Sequence, residues 1–372
     1  MVEVGMGDSA RSSPERCSFL RSRRSSRFTT AASGGYDCIP HLRELAMKRH
    51  VGGLISFSLL TLITGGCQPD APIGLPVLAG RVEPKPPSVL RDGIAFFTRE
   101  FSASGGVAIM QPDGSGRQPL AGAEAGFEPA ISPNGRRIAF SRNTDIGVTA
   151  IYIMDVDEGV ATPIVGGLTL NPTPVWSPDG CQIAFRSVLE TSGGPIGRIS
   201  IINADGTGLR QVTPEPGPLD FAFDEGPTWS PDGTRLAFTR NSVLHIINVD
   251  GTGMTALPNE DMAGTPSWSP DGERIAYFSL DPPGDIHTRN ADGSNLVALT
   301  TNPEFESWPR WSADGSQLVI SRVIGEQVAV VRINADGTGD ASLTPAGIDD
   351  FMPDWSRRAH SQRGGLPASQ CN

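Results

Sequence analysis

Lysine is almost absent. The 372 residues hold 30 Lys and Arg together, yet only Lys48 and Lys85 are lysine. We read that bias as the signature of a GC-rich genome, not as chemistry. Histidine is also scarce, with five in all. His245 and His287 occupy the same position in two repeats, but a zinc site needs three or four ligands and no third histidine joins them, so packing is their expected role. No G-x-S-x-G element occurs, which removes the exposed nucleophile turn of an α/β-hydrolase. Charged residues make up 19%. The longest apolar run, Val51 to Ile63, is too short for a membrane-spanning helix. Glycine (44) and proline (32) are plentiful instead, which suits a turn-rich β protein.

The apolar run has a context. Met47-Lys48-Arg49-His50 precedes it and Thr64-Gly65-Gly66-Cys67 follows, in the order basic region, apolar core and small-residue cleavage zone of a secretory signal. Signals begin proteins, so translation is expected to start at Met47. Residues 1–46, rich in Ser and Arg without apolar period, then read as a mis-assigned start or a disordered extension. The signal's end, LITGGC, resembles a bacterial lipobox, with Thr64 where leucine is usual. That resemblance implies lipidation at Cys67, with an ordinary cleaved signal or a retained anchor as alternatives. Gln68, which is not Asp, then implies the outer membrane, with the protein facing the periplasm. Residues 68–90 contain six prolines and form a semi-rigid tether.

Residues 1–66 hold nine of the 30 basic and five of the 41 acidic residues, leaving 21 basic and 36 acidic, a net charge of −15. Such a chain repels nucleic acid. Cys67, Cys181 and Cys371 survive processing. With Cys67 lipidated there is no disulfide framework, although a Cys181–Cys371 bond is allowed.

From residue 91 to 358 the chain repeats at roughly 40–50 residues. The element P-x-[W/I]-S-[P/A]-[D/N]-G appears at Pro129–Gly135, Pro174–Gly180, Pro227–Gly233, Pro266–Gly272 and Pro309–Gly315, and a truncated copy occupies Pro353–Ser356. Each full copy leads into a β-rich segment such as Ile138-Ala139-Phe140. A second turn of the type N-x-D-G follows each apolar strand, as in Asn203–Gly206 and Asn248–Gly251. Four antiparallel strands per repeat make a propeller blade. The chain starts with strands B to D of one blade and ends with an unpaired strand A. Joining these ends predicts an all-β, six-bladed propeller closed by the C-terminal strand, with a disordered tail at residues 359–372.

These P-x-WSPDG and N-x-D-G elements resemble the TolB-type propeller repeat. TolB proper carries an α/β domain before its propeller, whereas here the Pro-rich tether separates Cys67 from the first blade. The resemblance therefore implies the fold without the Tol system's role.

The SPDG element has a sufficient explanation as a type I turn, and its Trp as inter-blade packing. A calcium reading of Asp113, Asp205, Asp250, Asp292 and Asp336 falls short, since one carboxylate per turn cannot supply six to eight oxygens. The uniform A–B and C–D turns share one face of the disc, so binding is expected on the face carrying the variable loops. The D–A loops (121–128, 165–173, 214–226, 258–264, 301–307 and 345–351) hold twelve acids among 51 residues and no Lys or Arg. Mature-chain composition would give about six acids and three or four bases. Candidate contact residues are Phe221, Phe223, Asp224, Glu225, Glu260, Asp261, Glu304, Glu306, Asp349 and Asp350. The expected function is a monomeric, non-catalytic envelope module without cofactor or metal, binding a protein or peptide with a basic segment. The alternatives are a propeller hydrolase or lyase with a metal at the channel mouth, and a sensor for a small molecule or glycan. The bland reading, an acidic protein keeping its loops soluble, stays open.

Overall fold

The computed structural model describes residues 90 and 92–356, apart from 103, 145–147, 169–171, 192–193, 216–221 and 259–261; of 189–191 and 194–195 only the backbone is described. The expectations for the signal, Cys67, the tether and the C-terminal tail lie outside the described residues, as do Phe221, Glu260 and Asp261. Among the described residues every regular element is a strand, and no helix is long and apolar enough to cross a membrane.

Six four-stranded antiparallel sheets form a ring of blades. Blade I combines β1 (Ile94–Thr98), β2 (Gly106–Met110) and β3 (Gln118–Glu124) with the last strand, β24 (Asp350–Trp355). Blade II is β4 (Gly126–Ile131), β5 (Arg137–Asn143), β6 (Thr149–Asp155) and β7 (Ala161–Leu168). Blade III is β8 (Val175–Trp176), β9 (Gln182–Thr191), β10 (Gly194–Asn203) and β11 (Arg210–Gln211). Blade IV is β12 (Asp224–Trp229), β13 (Arg235–Arg240), β14 (Val243–Asn248) and β15 (Thr255–Ala256). Blade V is β16 (Ala263–Trp268), β17 (Arg274–Ser279), β18 (Ile286–Asn290) and β19 (Val297–Ala298). Blade VI is β20 (Glu306–Trp311), β21 (Gln317–Ile324), β22 (Gln327–Asn334) and β23 (Ala341–Ser342).

The closure foreseen from the truncated repeat is present. Ile94 pairs with Trp355, the Trp355 indole donates to the Asp92 carbonyl at 3.1 Å, and the Ser356 amide donates to Gly93. The C-terminal strand thus supplies the innermost strand of blade I and joins the two ends of the ring.

Six apolar clusters hold the ring, one at each blade interface. The second strand of each blade explains how. In Ile-Ala-Phe the side chains alternate between faces, so two large groups point to the preceding blade and one small group to the next. Ile183 and Phe185 therefore pack with Ala139, Leu236 and Phe238 with Ala184, and Ile275 and Tyr277 with Ala237. Leu318 and Ile320 meet Ala276, and Ile138 and Phe140 meet Ala95. Around the seam Ile94 and Phe96 meet Val319. Large-on-small packing repeated six times fills the wedge between twisted blades at close-packed density.

The tryptophans of the repeat join the same interfaces. Trp176 donates to the Ala130 carbonyl of the preceding blade at 3.0 Å, Trp229 to Val175 at 3.3 Å and Trp311 to Ser267 at 3.2 Å. The turns close as expected: the Gly180, Gly233, Gly272 and Gly315 amides donate back to the serine four residues into the motif's start, Ser177, Ser230, Ser269 and Ser312.

Candidate functional site

Three regions of the ring are candidates: the variable-loop face, the channel wall and the turn face.

On the variable-loop face the structure departs from the picture of an exposed acidic rim. Asp224, Glu306 and Asp350 each begin an innermost strand, and all three are fully buried. Arg240 grips Asp224 through two bonds, 2.6 and 2.8 Å. Arg322 donates to Glu306 at 2.6 Å and also holds Asp340; Thr300 and Asn302 complete the Glu306 shell. Arg117 binds Asp350 at 2.7 Å and Glu100 at 2.6 Å. These carboxylates are internal clamps, because a buried charge persists when it is paired and hydrogen-bonded. The D–A loops contain no cation, but the second strands of blades IV and VI supply Arg240 and Arg322, and the turn before β3 supplies Arg117. The signal was present in the sequence: an arginine two residues after the Ile-Ala-Phe aromatic or its equivalent recurs as Arg142, Arg240 and Arg322.

The remaining described candidates reach solvent. Glu225 is half-exposed and pairs with Arg186 at 2.7 Å, while Arg186 also lies over the Phe223 ring at 5.4 Å. Glu304 and Asp349 are partly exposed, the latter accepting from the Val328 amide at 2.9 Å. Phe305 is exposed and meets Phe278 edge-on.

The channel wall carries a feature that sequence reasoning missed. In or just before every innermost strand, the residue before the repeat's proline has a positive φ: Glu128 (52°), Thr173 (45°), Gly226 (57°), Thr265 (28°), Trp308 (55°) and Met352 (55°). The pairing register slips at this point in five of the blades. A residue before proline ordinarily avoids compact conformations, and left-handed non-glycine residues cost about 1–3 kcal/mol each. Recurrence of the positive φ in six blades and of the register slip in five makes the bulge a device of the fold that bends the innermost strands along the channel. At this level Glu128 is buried, and its Oε2 accepts from Ser141 Oγ and the Thr173 amide, both at 2.9 Å. Desolvation pushes its carboxyl above the usual range, with those hydrogen bonds and the charges of Arg186 and Arg310 opposing. Glu225 is pushed up for the same first reason, against Arg186.

On the turn face the channel opens into a cavity of about 660 Å³. The prolines of four turns, Pro133, Pro178, Pro231 and Pro270, rim it together with Ala313, and Trp176, Trp229 and Trp355 form apolar walls. Asp92, Asp314 and Asp354 add acids, and Arg310 reaches Asp354 at 3.5 Å. The uniform turns therefore frame this cavity; another, of about 200 Å³, lies beside Phe101 and Glu124.

The repeated aspartates serve their own turns. Asp205 Oδ1 accepts from the Thr207 amide at 2.9 Å and from its hydroxyl, and Asp250, Asp292 and Asp336 do the same with Thr252, Ser294 and Thr338. Asp113 accepts from the Ser115 amide. These hydrogen bonds hold all five carboxyls below the usual range. Among the described residues no three His, Cys, Asp or Glu side chains are grouped to hold a metal ion. His245 stacks on Phe238 and its Nδ1 lies 2.8 Å from the Val243 carbonyl; His287 meets Tyr277 edge-on.

Fold and repeat define a six-bladed propeller of WSPDG type. The family description "TolB beta propeller domain" matches residues 219–360. A "Protein TolB homolog" of Chlorobium luteolum is 32% identical over 132 residues, covering 34% of this chain and 27% of that protein. The "Uncharacterized peptidase YuxL" of Bacillus subtilis is 30% identical over 117 residues, covering 30% and 17%. The chain thus matches about a quarter or less of these relatives' length. The crystal structure of TolB from Acinetobacter baumannii superposes with a TM-score of 0.61 at 19% identity, covering 73% of this chain and 68% of that one. The chain carries a TolB-like six-bladed β-propeller.

Proposed function

We propose that this propeller is a non-catalytic protein- or peptide-binding module of the cell envelope, anchored through Cys67 and engaging a basic partner segment with its variable-loop face. One observation carries the reading. The chain enters the ring at Leu90, whose amide donates to Gly135 in a turn of blade II, and leaves it at Ser356, beside Gly93. Both points lie on the turn face. A tether leading back to a membrane therefore holds the variable-loop face outward, toward partners. That face presents Phe223, Glu225, Glu304, Phe305 and Asp349, and aromatic rings beside carboxylates suit arginine and lysine side chains. The buried acids Asp224, Glu306 and Asp350 support these residues without contacting a partner.

The test uses a fluorescent octa-arginine peptide and the variant Phe223→Ala/Glu225→Gln/Glu304→Gln, which spares the clamps. Anisotropy is expected to show salt-sensitive binding that weakens about tenfold or more in the variant. Unchanged affinity of a folded variant removes this face from the proposal. Crosslinking pull-down from intact cells then identifies the partner.

A hydrolase or lyase is the second reading, motivated by the peptidase-named relative and by the raised carboxyls of Glu128 and Glu225. Stoichiometric metal in the purified protein would favour it.

A further inference from the structure

We propose that Arg186 is a transferable ion-pair partner: when a basic side chain of the binding segment takes Glu225, the Arg186 guanidinium passes to Glu128 and holds its carboxylate. The transfer depends on the reading of the variable-loop face as the site for a basic segment, and it adds Glu128 as a positioning residue behind that contact.

Three buried polar atoms in the channel wall point to it. Glu128 Oε1, Thr173 Oγ1 and Arg186 Nε have no hydrogen-bond partner among the described residues. Buried polar groups are ordinarily paired, and these three stand on adjoining segments. The Thr173 amide donates to Glu128 Oε2 at 2.9 Å, and the Pro172 carbonyl next to it accepts from the Arg186 amide at 2.7 Å. Arg186 belongs to β9 of blade III, between Glu128 in the innermost strand of blade II and Glu225 in that of blade IV. Arg186 is 8% exposed and Glu128 4%, whereas the Glu225 side chain is 47% exposed. One end of the array is thus open to a partner and the other is closed.

Arg186 Nη1 donates to Glu225 at 2.7 Å, and the same charge already favours the ionised form of Glu128. A guanidinium carries five N–H donors in a fork, so its unpartnered Nε edge can take a carboxylate once Nη1 lets go. Without a second acceptor, a partner that captured Glu225 would leave Arg186 buried and uncompensated, which is strongly unfavourable. Glu128 supplies the compensating charge. Desolvation holds its carboxyl above the usual range in the free protein, and the charge of Arg186 opposes that shift. The proton that leaves Glu128 goes to solvent, so partner binding and deprotonation are linked.

The surrounding charges leave this role to Arg186. Of the strands packed against β4, β1, β2 and β8 hold no titratable residue. β24 brings Asp350, clamped by Arg117, and Asp354, which pairs with Arg310 at 3.5 Å. β5 brings Arg137, over Trp176, and Arg142, over Phe140 and Tyr152. Arg310 of β20 also favours ionised Glu128.

The test starts without a partner. Glu225→Ala removes the outer carboxylate, and full-length protein with isotope-labelled glutamate is titrated by carboxyl NMR, the Glu128 resonance being the one lost in Glu128→Gln. Its midpoint is expected to fall by about one pH unit or more, a tenfold change in proton affinity. In an Arg186→Gln background the same substitution is expected to leave the midpoint in place. An unchanged midpoint in the first case, or an equal fall in the second, overturns the transfer. The binding arm uses the fluorescent octa-arginine peptide. At about pH 7.5 Glu128→Gln is expected to bind about fivefold more weakly than the parent, and at about pH 5.5 the two are expected to converge. If binding depends on Glu225 but Glu128→Gln keeps the parent's affinity and pH profile, the transfer is overturned and the face stands. If the peptide does not bind at all, the reading of the face fails, and the NMR result alone decides whether Arg186 passes between the two carboxylates.

Discussion

Replacing Asp224 with alanine separates a structural role from a contact role. Its carboxylate is fully buried and receives two bonds from Arg240, at 2.6 and 2.8 Å. Its charge also favours the ionised form of Arg198, a buried guanidinium whose main opposing influence is desolvation. Removing one partner of a buried pair costs about 3–5 kcal/mol, because the other charge is left uncompensated. Arg240 retains 14% side-chain exposure and recovers some hydration, which places the estimate near 3–4 kcal/mol. At about 2–4 °C per kcal/mol for a domain of this size, the melting temperature falls by about 10 °C. Circular dichroism melts at one scan rate measure it. Asp224→Leu/Arg240→Met, which removes both charges and fills the space, is expected to lie within about 1 kcal/mol of the parent. An Asp224→Ala melt within about 2 °C of the parent, or a double variant as unstable as the single one, would refute the clamp.

Three further outcomes follow from the ring. Ala237→Leu puts three extra carbons against Ile275 and Tyr277 and is expected to lower stability by about 1–3 kcal/mol through overpacking, read from a urea midpoint at unchanged slope. Thr265→Gly relaxes a β-branched residue held at φ 28° and is expected to be neutral or to stabilise by up to about 1 kcal/mol; a loss beyond that in the same titration contradicts the strain. Glu128 has a raised folded-state pKa, so its contribution is fully present below the unfolded value near 4.5 and is lost as pH rises through the folded one. The parent should therefore lose stability across that rise relative to Glu128→Gln, whose melting temperature should be flatter between pH 4.5 and 7. The aspartates with lowered pKa act below pH 3.8 and leave this window clear.

Much of the architecture was legible because its determinants are local. Ser-Pro-Asp-Gly specifies a turn by the conformations its own residues prefer, and the truncated copy at Pro353–Ser356 requires a partner that the unpaired front of the chain supplies. The site was less legible because charge pairing is tertiary. Counting acids within loops picked Asp224, Glu306 and Asp350, yet the arginines that neutralise them come from neighbouring strands and, for Asp350, from the turn before β3. The bulges were hidden for a different reason: local preference argues against a left-handed residue before proline, and the closed ring overrides it. The turn-face cavity needs four separate prolines brought to one rim, which no single repeat can announce.

The same chemistry explains why binding is the better-supported role. A catalytic base needs a carboxyl or imidazole free to exchange a proton with substrate. Asp224, Glu306 and Asp350 are instead held in charge-assisted bonds, and the turn aspartates are held by their own turns. His245 and His287 lie against aromatic rings of their own blades, Phe238 and Tyr277. Glu128 and Glu225 depart from this pattern by their raised carboxyls, but the positive charge of Arg186 acts on both, and Glu225 already pairs with it. A ligand cation meeting Glu225 competes with Arg186 for the same oxygens, so basic partners should bind in exchange for an internal ion pair. That exchange favours moderate, salt-sensitive affinity over tight capture, the behaviour expected of a scaffold whose partners come and go.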